Sequence, residues 1–162
     1  MAKGFTYKTQ VKNQGKGWSY FLPLPEAHID ALKADGNKRV IVQFNEDYNI
    51  HAAILFRKSY GHFVMLSKKH LKALDLELGS EVQATVRIDD SKYQFECPEV
   101  FEEVMRTDPE AFEIFERLTP GGQRSILAII AAVNNTDKQI DKALKVADYL
   151  KQGVTNFRTI KL

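Results

Sequence analysis

Residues 16–44, KGWSYFLPLPEAHIDALKADGNKRVIVQF, return 42 positions later as residues 58–86, KSYGHFVMLSKKHLKALDLELGSEVQATV. The identities are Lys16/Lys58, Phe21/Phe63, Leu24/Leu66, His28/His70, Ala31/Ala73, Leu32/Leu74 and Val40/Val82. Apolar pairs such as Trp18/Tyr60, Leu22/Val64, Ile29/Leu71 and Phe44/Val86 keep the same register. A gapless match at a fixed offset reads as one supersecondary unit used twice.

Each copy reads as strand, helix, strand. Trp18–Leu22 and His62–Leu66 are short runs rich in aromatic and branched residues, which suit a pleated surface. Pro23 and Pro25 end the first run, and Pro25 can open a helix because a first helical residue needs no N–H. Ser67 ends the second by capping the helix that follows. Ile29 and Leu32, like Leu71 and Leu74, lie three apart and share a helical face. Gly36 and Gly79 supply the turn out. Strands follow at Arg39–Phe44 and Glu81–Ile88, where Val82, Ala84, Val86 and Ile88 alternate. A further strand precedes each unit, at Phe5–Val11 and Ile50–Phe56, with turn chemistry at Asn45–Asn49 between the copies. About six strands escape their edge problem by closing on themselves. The expectation is a pseudo-twofold β-barrel over residues 3–90, built from repeats 5–45 and 47–88.

After Asp89-Asp90 the period changes from two to between three and four. Pro98 opens a helix with Val100, Phe101, Val104 and Met105 on its apolar stripe. Asp108-Pro109 and Thr119-Pro120 restart the chain twice, each a cap followed by a proline at the first helical position. Ile126–Val133 is apolar nearly all round. Thr136 with Gln139 has capping-box spacing and opens a last helix lined by Ile140, Ala143, Leu144, Ala147 and Leu150. The expected class is α+β, with a helical module at 91–153 and a tail at 154–162 that docks as a strand or stays loose.

With 162 residues and 18.5 kDa, the chain fits one domain or two small ones. Its 44% hydrophobic and 27% charged residues exclude global disorder and low-complexity architectures. The longest apolar run is far below the roughly 20 residues a membrane span needs, and Met1–Gly4 leads into no signal-like stretch. One cysteine, Cys97, cannot form an internal disulfide, in keeping with a reducing cytoplasm. The net charge of +2 argues for no partner by itself, yet it hides blocks. Residues 1–70 hold 11 Lys and Arg against 5 Asp and Glu, residues 71–120 hold 5 against 13, and residues 121–162 hold 7 against 3.

The order of a small barrel with Leu74-x-Leu76-x-Leu78-Gly79-x-x-Val82 and a closing Asp89, then Pro109-x-Ala111-x-x-x-Phe115 and a capped last helix, resembles the bacterial YdeI/OmpD-associated proteins. In that family an N-terminal domain of unknown function precedes a helical OmdA-type segment. The resemblance covers roughly residues 5–153 and brings no catalytic motif. The family's tract of three arginines before its last helix is reduced here to one cation, within Asn135–Ile140. The family name implies protection from bacteriocins or envelope stress. Leu66-Ser67-Lys68-Lys69-His70-Leu71-x-x-Leu74 followed by Leu78-Gly79-x-x-Val82 is also similar to the AbrB swapped-hairpin fold. That resemblance implies DNA binding by basic groups, here Lys12, Lys16, Lys38, Arg39, Arg57, Lys58, Lys68 and Lys69.

The chemistry-bearing residues point to no reaction. His28 and His70 are repeat equivalents, and His51 and His62 lie on separate strands, so no HxH or HxxxH ligand spacing exists. Cys97 has no flanking cysteine, and no serine sits in a G-x-S-x-G elbow. Gly121-Gly122 opens a helix without a phosphate-loop lysine pattern. Asp89-Asp90 and Glu102-Glu103 are adjacent and point apart. Whether Asp89, His51 and Arg57 converge is a question for the structure. The strongest functional signal is cations interleaved with aromatics. Lys16-Gly-Trp18-Ser-Tyr20 and Arg57-Lys58-Ser-Tyr60 are repeat-equivalent tips suited to phosphate contact and base stacking. The competing reading has Trp18 and Tyr60 cap the core while the lysines extend into water, and the modest net charge favours it.

The candidate nucleic-acid or anion-binding residues are therefore Lys16, Trp18, Lys38, Arg39, Arg57, Lys58, Tyr60, Lys68 and Lys69. No catalytic residue, metal or cofactor is expected. The sequence reads as a non-catalytic binding or scaffold protein, cytoplasmic, a monomer or homodimer with a protein partner or anionic ligand. Nucleic-acid binding is the alternative.

Overall fold

The period of two along the strands Arg39–Phe44 and Glu81–Ile88 puts Val40, Val42, Phe44, Val82, Ala84 and Val86 on one face of a sheet, and all six are buried. The computed structural model describes residues 3–15, 19–158, 160 and 162. The chain divides into two compact units, Met1–Gln94 and Phe95–Leu162.

Among the described residues the first unit holds eight strands: β1 (Phe5–Gln10), β2 (Lys12–Asn13), β3 (Tyr20–Pro23), β4 (Arg39–Phe44), β5 (Tyr48–Ala53), β6 (Leu55–Arg57), β7 (Gly61–Leu66) and β8 (Glu81–Ile88). They form two antiparallel four-stranded sheets, ordered β1-β8-β4-β5 and β2-β3-β7-β6. The expected six-stranded closed barrel is thus corrected to two sheets of eight strands. The cause lies in two single-residue breaks. At Val11, between β1 and β2, the backbone leaves the first ladder and bonds to Ser80 O and Gly79 N. At Ile54, between β5 and β6, the N–H goes to Lys38 O. Each break sends the chain from one sheet into the other, so continuity of the chain rather than a ladder joins the edges.

The repeat governs the pairing. In the first sheet Gln43 faces Thr85, and in the second Leu22 faces Val64; both pairs are separated by the repeat offset of 42. A residue opposed by its own repeat equivalent marks a local twofold axis, and both central ladders, β4–β8 and β3–β7, have one. The remaining strands match as well: β1 corresponds to β5 and β2 to β6, which makes both sheet orders symmetric.

Between the sheets lies one core of Val11, Leu22, Leu24, Ile29, Leu32, Val40, Val42, Phe44, Ile50, Ala52, Val64, Leu66, Leu71, Val82, Ala84 and Val86. Two short helices flank it, α1 (Ile29–Leu32) and α2 (Lys68–Ala73), with 3-10 turns at Glu26–His28 and Ala34–Gly36 around α1. Ser67 accepts the His70 N–H while His70 Nδ1 accepts the Ser67 N–H, a reciprocal cap. Gly36 and Gly79 take positive φ where the chain turns into β4 and toward β8.

Tyr7 packs its ring against this core and brings a hydroxyl with it. That hydroxyl has no hydrogen-bond partner among the described residues, and burial pushes its ionisation well above the ordinary tyrosine range. Burying an unpaired hydroxyl costs about 1–3 kcal/mol. Tyr7→Phe is therefore expected to raise stability by about 1 kcal/mol, seen as a higher urea midpoint with unchanged slope. An unchanged or lower midpoint would refute this.

Among the described residues the second unit contains four helices: α3 (Glu99–Thr107), α4 (Pro109–Glu116), α5 (Pro120–Ala131) and α6 (Thr136–Lys151). Asp108 caps α4 through the Ala111 N–H, and Thr119 caps α5 through the Gly122 N–H, both with proline next in sequence. The last helix corrects the expected cap: Asn135 accepts the Lys138 N–H, and Thr136 is already helical. Phe101, Val104, Met105, Ala111, Phe115, Ile126, Leu127, Ile130, Ala143, Val146, Ala147 and Leu150 are buried. The tail forms no strand over Val154–Arg158; it returns along α6, with Val154 N–H donating to Tyr149 O and Phe157 buried against the Tyr149 ring. No helix among the described residues is long and apolar enough to cross a membrane.

Candidate functional site

The β6–β7 hairpin carries the predicted cations to the surface of the second sheet. Its turn closes with the Tyr60 N–H on Arg57 O at 3.0 Å, and Gly61 follows at φ 77. A Cβ at residue 61 would meet only Glu26, at Oε1, the end of a flexible side chain that can shift, so it is the left-handed backbone that favours glycine here. Glu26 is there because it anchors the hairpin. It accepts the His62 N–H at 2.6 Å and faces His62 Nδ1 at 2.9 Å. The bond from the His62 N–H, helped by the His62 ring, holds the Glu26 carboxyl below the usual range against the opposing effect of desolvation.

Alternation along β3 and β7 sends Leu22, Val64 and Leu66 into the core and Phe21 and Phe63 to the opposite face. There the two rings lie 4.9 Å apart, with Tyr60 tilted over Phe21 at 4.8 Å and edge-on to Phe63 at 6.0 Å. Tyr60 remains 39% exposed. Gln14, Leu55, Phe56, Arg57, Phe63 and Met65 line a shallow groove on this side of the hairpin. Arg57 and Lys58 are exposed beside it.

Arg57, Lys58 and Tyr60 are thus gathered into one hairpin. The other predicted residues are distributed differently. Lys38 is exposed just before β4, while Arg39 donates from Nε to Gln94 O and serves the fold. Lys68 and Lys69 are exposed on α2. Lys16 and Trp18 lie outside the described residues. Sequence reasoning did not single out Glu26, Leu55 or Phe56, although Phe56, tilted against His62 at 4.8 Å, is the most exposed apolar side chain of the hairpin. Its pattern of apolar residues running into Arg57-Lys58 was the available signal.

A second polar cluster lies on the outer face of the first sheet. Asp89 is buried, and its carboxylate meets His51 Nδ1 at 2.7 Å, the Ser91 N–H at 3.0 Å and the Ser91 hydroxyl at 2.5 Å. Burial alone would raise its pKa; the hydrogen bonds from His51 and Ser91 together outweigh that and lower it. Around it Gln94 folds back, donating to Asp89 O at 2.8 Å and to Asn37 Oδ1 at 3.2 Å, while Asn37 donates to Leu32 O and Arg39 O. Arg57 does not join His51 and Asp89, since it stands on the edge strand of the other sheet. Both acceptor oxygens of Asp89 have donors, which makes the cluster a clasp for residues 89–94.

The remaining histidines have structural surroundings. His28 stacks on Phe5 at 4.1 Å, and its repeat equivalent His70 meets Tyr48 edge-on at 6.1 Å. Among the described residues no three of His, Cys, Asp or Glu gather as a metal site. The free N–H of Gly122 at the start of α5 is taken by Thr119 Oγ1.

A family model for a domain of unknown function, DUF1905, matches residues 7–94. A model described as OmdA, "Bacteriocin-protection, YdeI or OmpD-Associated", matches residues 94–153. The boundary between the matches falls where the structure divides into its two units. No curated protein matches the chain.

Proposed function

The chain belongs to the DUF1905 family and carries an OmdA segment of the YdeI/OmpD-associated type, and we propose that it is a non-catalytic binding protein that recognises an anionic partner through its β6–β7 hairpin. The observation that carries this reading is the juxtaposition of exposed Arg57 and Lys58 with the half-covered Tyr60 ring over Phe21 and Phe63. A cation next to an exposed ring can contact an anionic group while the ring stacks on an apolar or aromatic one. The hairpin is tied down by Glu26 and Gly61, so little ordering cost accompanies binding. On this reading residues 3–90 carry the binding surface, residues 91–153 form the helical module, and any part in bacteriocin or stress protection proceeds by binding in the cytoplasm.

A nucleic-acid reading has its own support. The local twofold in both central ladders is the arrangement an AbrB-like unit would have when its two halves are fused in one chain, and cations with an exposed ring suit phosphate and base. One measurement serves both. Binding of a Glu-rich peptide and of a duplex DNA oligonucleotide is compared for the parent and the Arg57→Ala/Lys58→Ala double variant. Loss of two partly desolvated cation contacts is expected to weaken binding about tenfold. DNA binding that weakens linearly in log–log with salt, with a slope smaller by about 1 per removed cation, selects the nucleic-acid reading. Equal binding by parent and variant, or no binding of either probe, would overturn the proposal.

A further inference from the structure

The strand β6 is an outer strand of its sheet, paired to β7 on one side alone, and all three of its residues are exposed. Alternate N–H and C=O groups of such a strand point away from its neighbour and are a template for another strand. Among the described residues, no backbone hydrogen bond outside the β6–β7 ladder uses the N–H groups of Leu55, Phe56 or Arg57. Two of the three side chains, Leu55 and Phe56, are large and apolar.

Resting on the binding role above and specifying its partner, we propose that β6 captures an extended acidic polypeptide segment by strand addition. Charge selects the occupant. The β6 edge is bracketed by cations: Arg57 and Lys58 stand at the turn end, and Lys38, whose carbonyl holds the Ile54 N–H, stands at the other. The Glu26 carboxylate, which reaches the hairpin, is engaged by the His62 N–H and ring. An added strand therefore meets positive charge at both ends and apolar side chains between them. A peptide with acidic residues flanking an apolar pair fits that pattern. A second copy of this chain does not, because β6 pairing with β6 would oppose cation to cation. A nucleic acid could neutralise the cations, but it has no backbone that could complete a ladder.

Leu55 and Arg57 share a face with Phe63 and Gly61, and Phe56 shares the other with His62. The two faces give the added strand a direction-dependent read-out: the residue opposite Leu55 lies over the groove floored by Phe63 and Met65, and its neighbours turn toward Phe56. Affinity rests on a short ladder and two flanking charge contacts, so exchange is fast and binding depends on salt.

The test uses the full chain and a synthetic peptide with acidic ends and an apolar centre. Three companion peptides complete the set: two with N-methylated backbone at alternate residues, in opposite registers, and one with lysines in place of the acids. The expected result is binding of the acidic peptide and of one N-methylated register, about tenfold or greater weakening of the other register, and slowed hydrogen exchange at Leu55–Arg57. The Arg57→Glu/Lys58→Glu variant, checked for an unchanged unfolding midpoint, should reverse preference to the lysine peptide. If the acidic peptide binds through Arg57 and Lys58 but both N-methylated registers bind alike and the β6 amides stay unprotected, strand addition is wrong while the anion-binding role stands. If DNA binds and no peptide does, strand addition is overturned in favour of nucleic acid. If nothing binds, both proposals fail.

Discussion

Asp89→Ala is expected to lower the stability of the N-terminal unit by about 3–5 kcal/mol, the cost of removing one partner from a buried charged network. The Asp89 side chain is fully buried, and three donors converge on it: His51 Nδ1 and both the N–H and hydroxyl of Ser91. Alanine leaves those donors facing an apolar gap, and an unpaired buried donor loses its full desolvation cost. The clasp that folds Gln94 back onto Arg39 and Asn37 is built on the same corner, so the loss extends to residues 89–94. His51→Ala costs less, because Ser91 still supplies two bonds to the carboxylate. The pH dependence has a definite sign. The Asp89 pKa is depressed in the folded state, so its contribution is complete above the ordinary carboxylate value near 4 and is lost as pH falls through the lower folded value. Urea unfolding at neutral pH and at several values below about 4 checks this. The gap between parent and Asp89→Ala should be widest at neutral pH and narrow on acidification. Equal midpoints at neutral pH, or a gap that widens in acid, would show that the carboxylate holds nothing together.

Much of this architecture was legible from residues because the forces involved were local or repeated. Ser67, Asp108 and Thr119 each cap a helix through an N–H three residues on, a relation that depends on nothing distant. The repeat was legible because the two copies place the same apolar residues at the same positions, and the ladders then pair Leu22 with Val64 and Gln43 with Thr85. The partition into two sheets was hidden for the opposite reason. Val11 continues the alternation of β1 and Ile54 stands inside the apolar run Ala52–Phe56, and neither setting marks a residue whose hydrogen bonds leave the ladder. At residues 135 and 136 Asn and Thr compete as caps, and local sequence does not decide between two good capping side chains. The contact that covers Phe21 on the face away from the core depends on Tyr60 arriving from about 40 residues along the chain, as the His51–Asp89 contact depends on a separation of 38. The cationic tip at Arg57-Lys58 was readable in composition, whereas its anchoring by Glu26 and its place on an open edge came from topology.

Phe115→Ala is expected to cost about 3–5 kcal/mol and to unfold much of the C-terminal unit. Phe115 has no exposed surface, and its ring meets the buried Phe101 edge-to-face at 4.9 Å and 60°. Such a pair adds about 0.5–1.5 kcal/mol beyond the area it buries. The backbone at this residue is also engaged: buried Gln123 reaches from α5 to donate to Phe115 O at 3.1 Å and to Glu116 O at 3.4 Å. One ring therefore sits where α3 and α4 meet and where α5 is hydrogen-bonded to the end of α4. The unit is small, and a domain of this size has only a few kcal/mol to lose. Helix α6 packs against both α3 and α4, so a cavity at Phe115 loosens the contacts that keep its buried face, Ala143, Val146, Ala147 and Leu150, away from water. Phe112→Ala on the same helix is the control, since that ring is 38% exposed and its removal leaves a smaller cavity. Far-UV circular dichroism should show an early loss of helix for Phe115→Ala and a much smaller shift for Phe112→Ala. Hydrogen exchange should place the lost protection on α3, α4 and α6. If the two variants unfold together, or if exchange quickens in the strands instead, the aromatic pair is not what organises the helical unit.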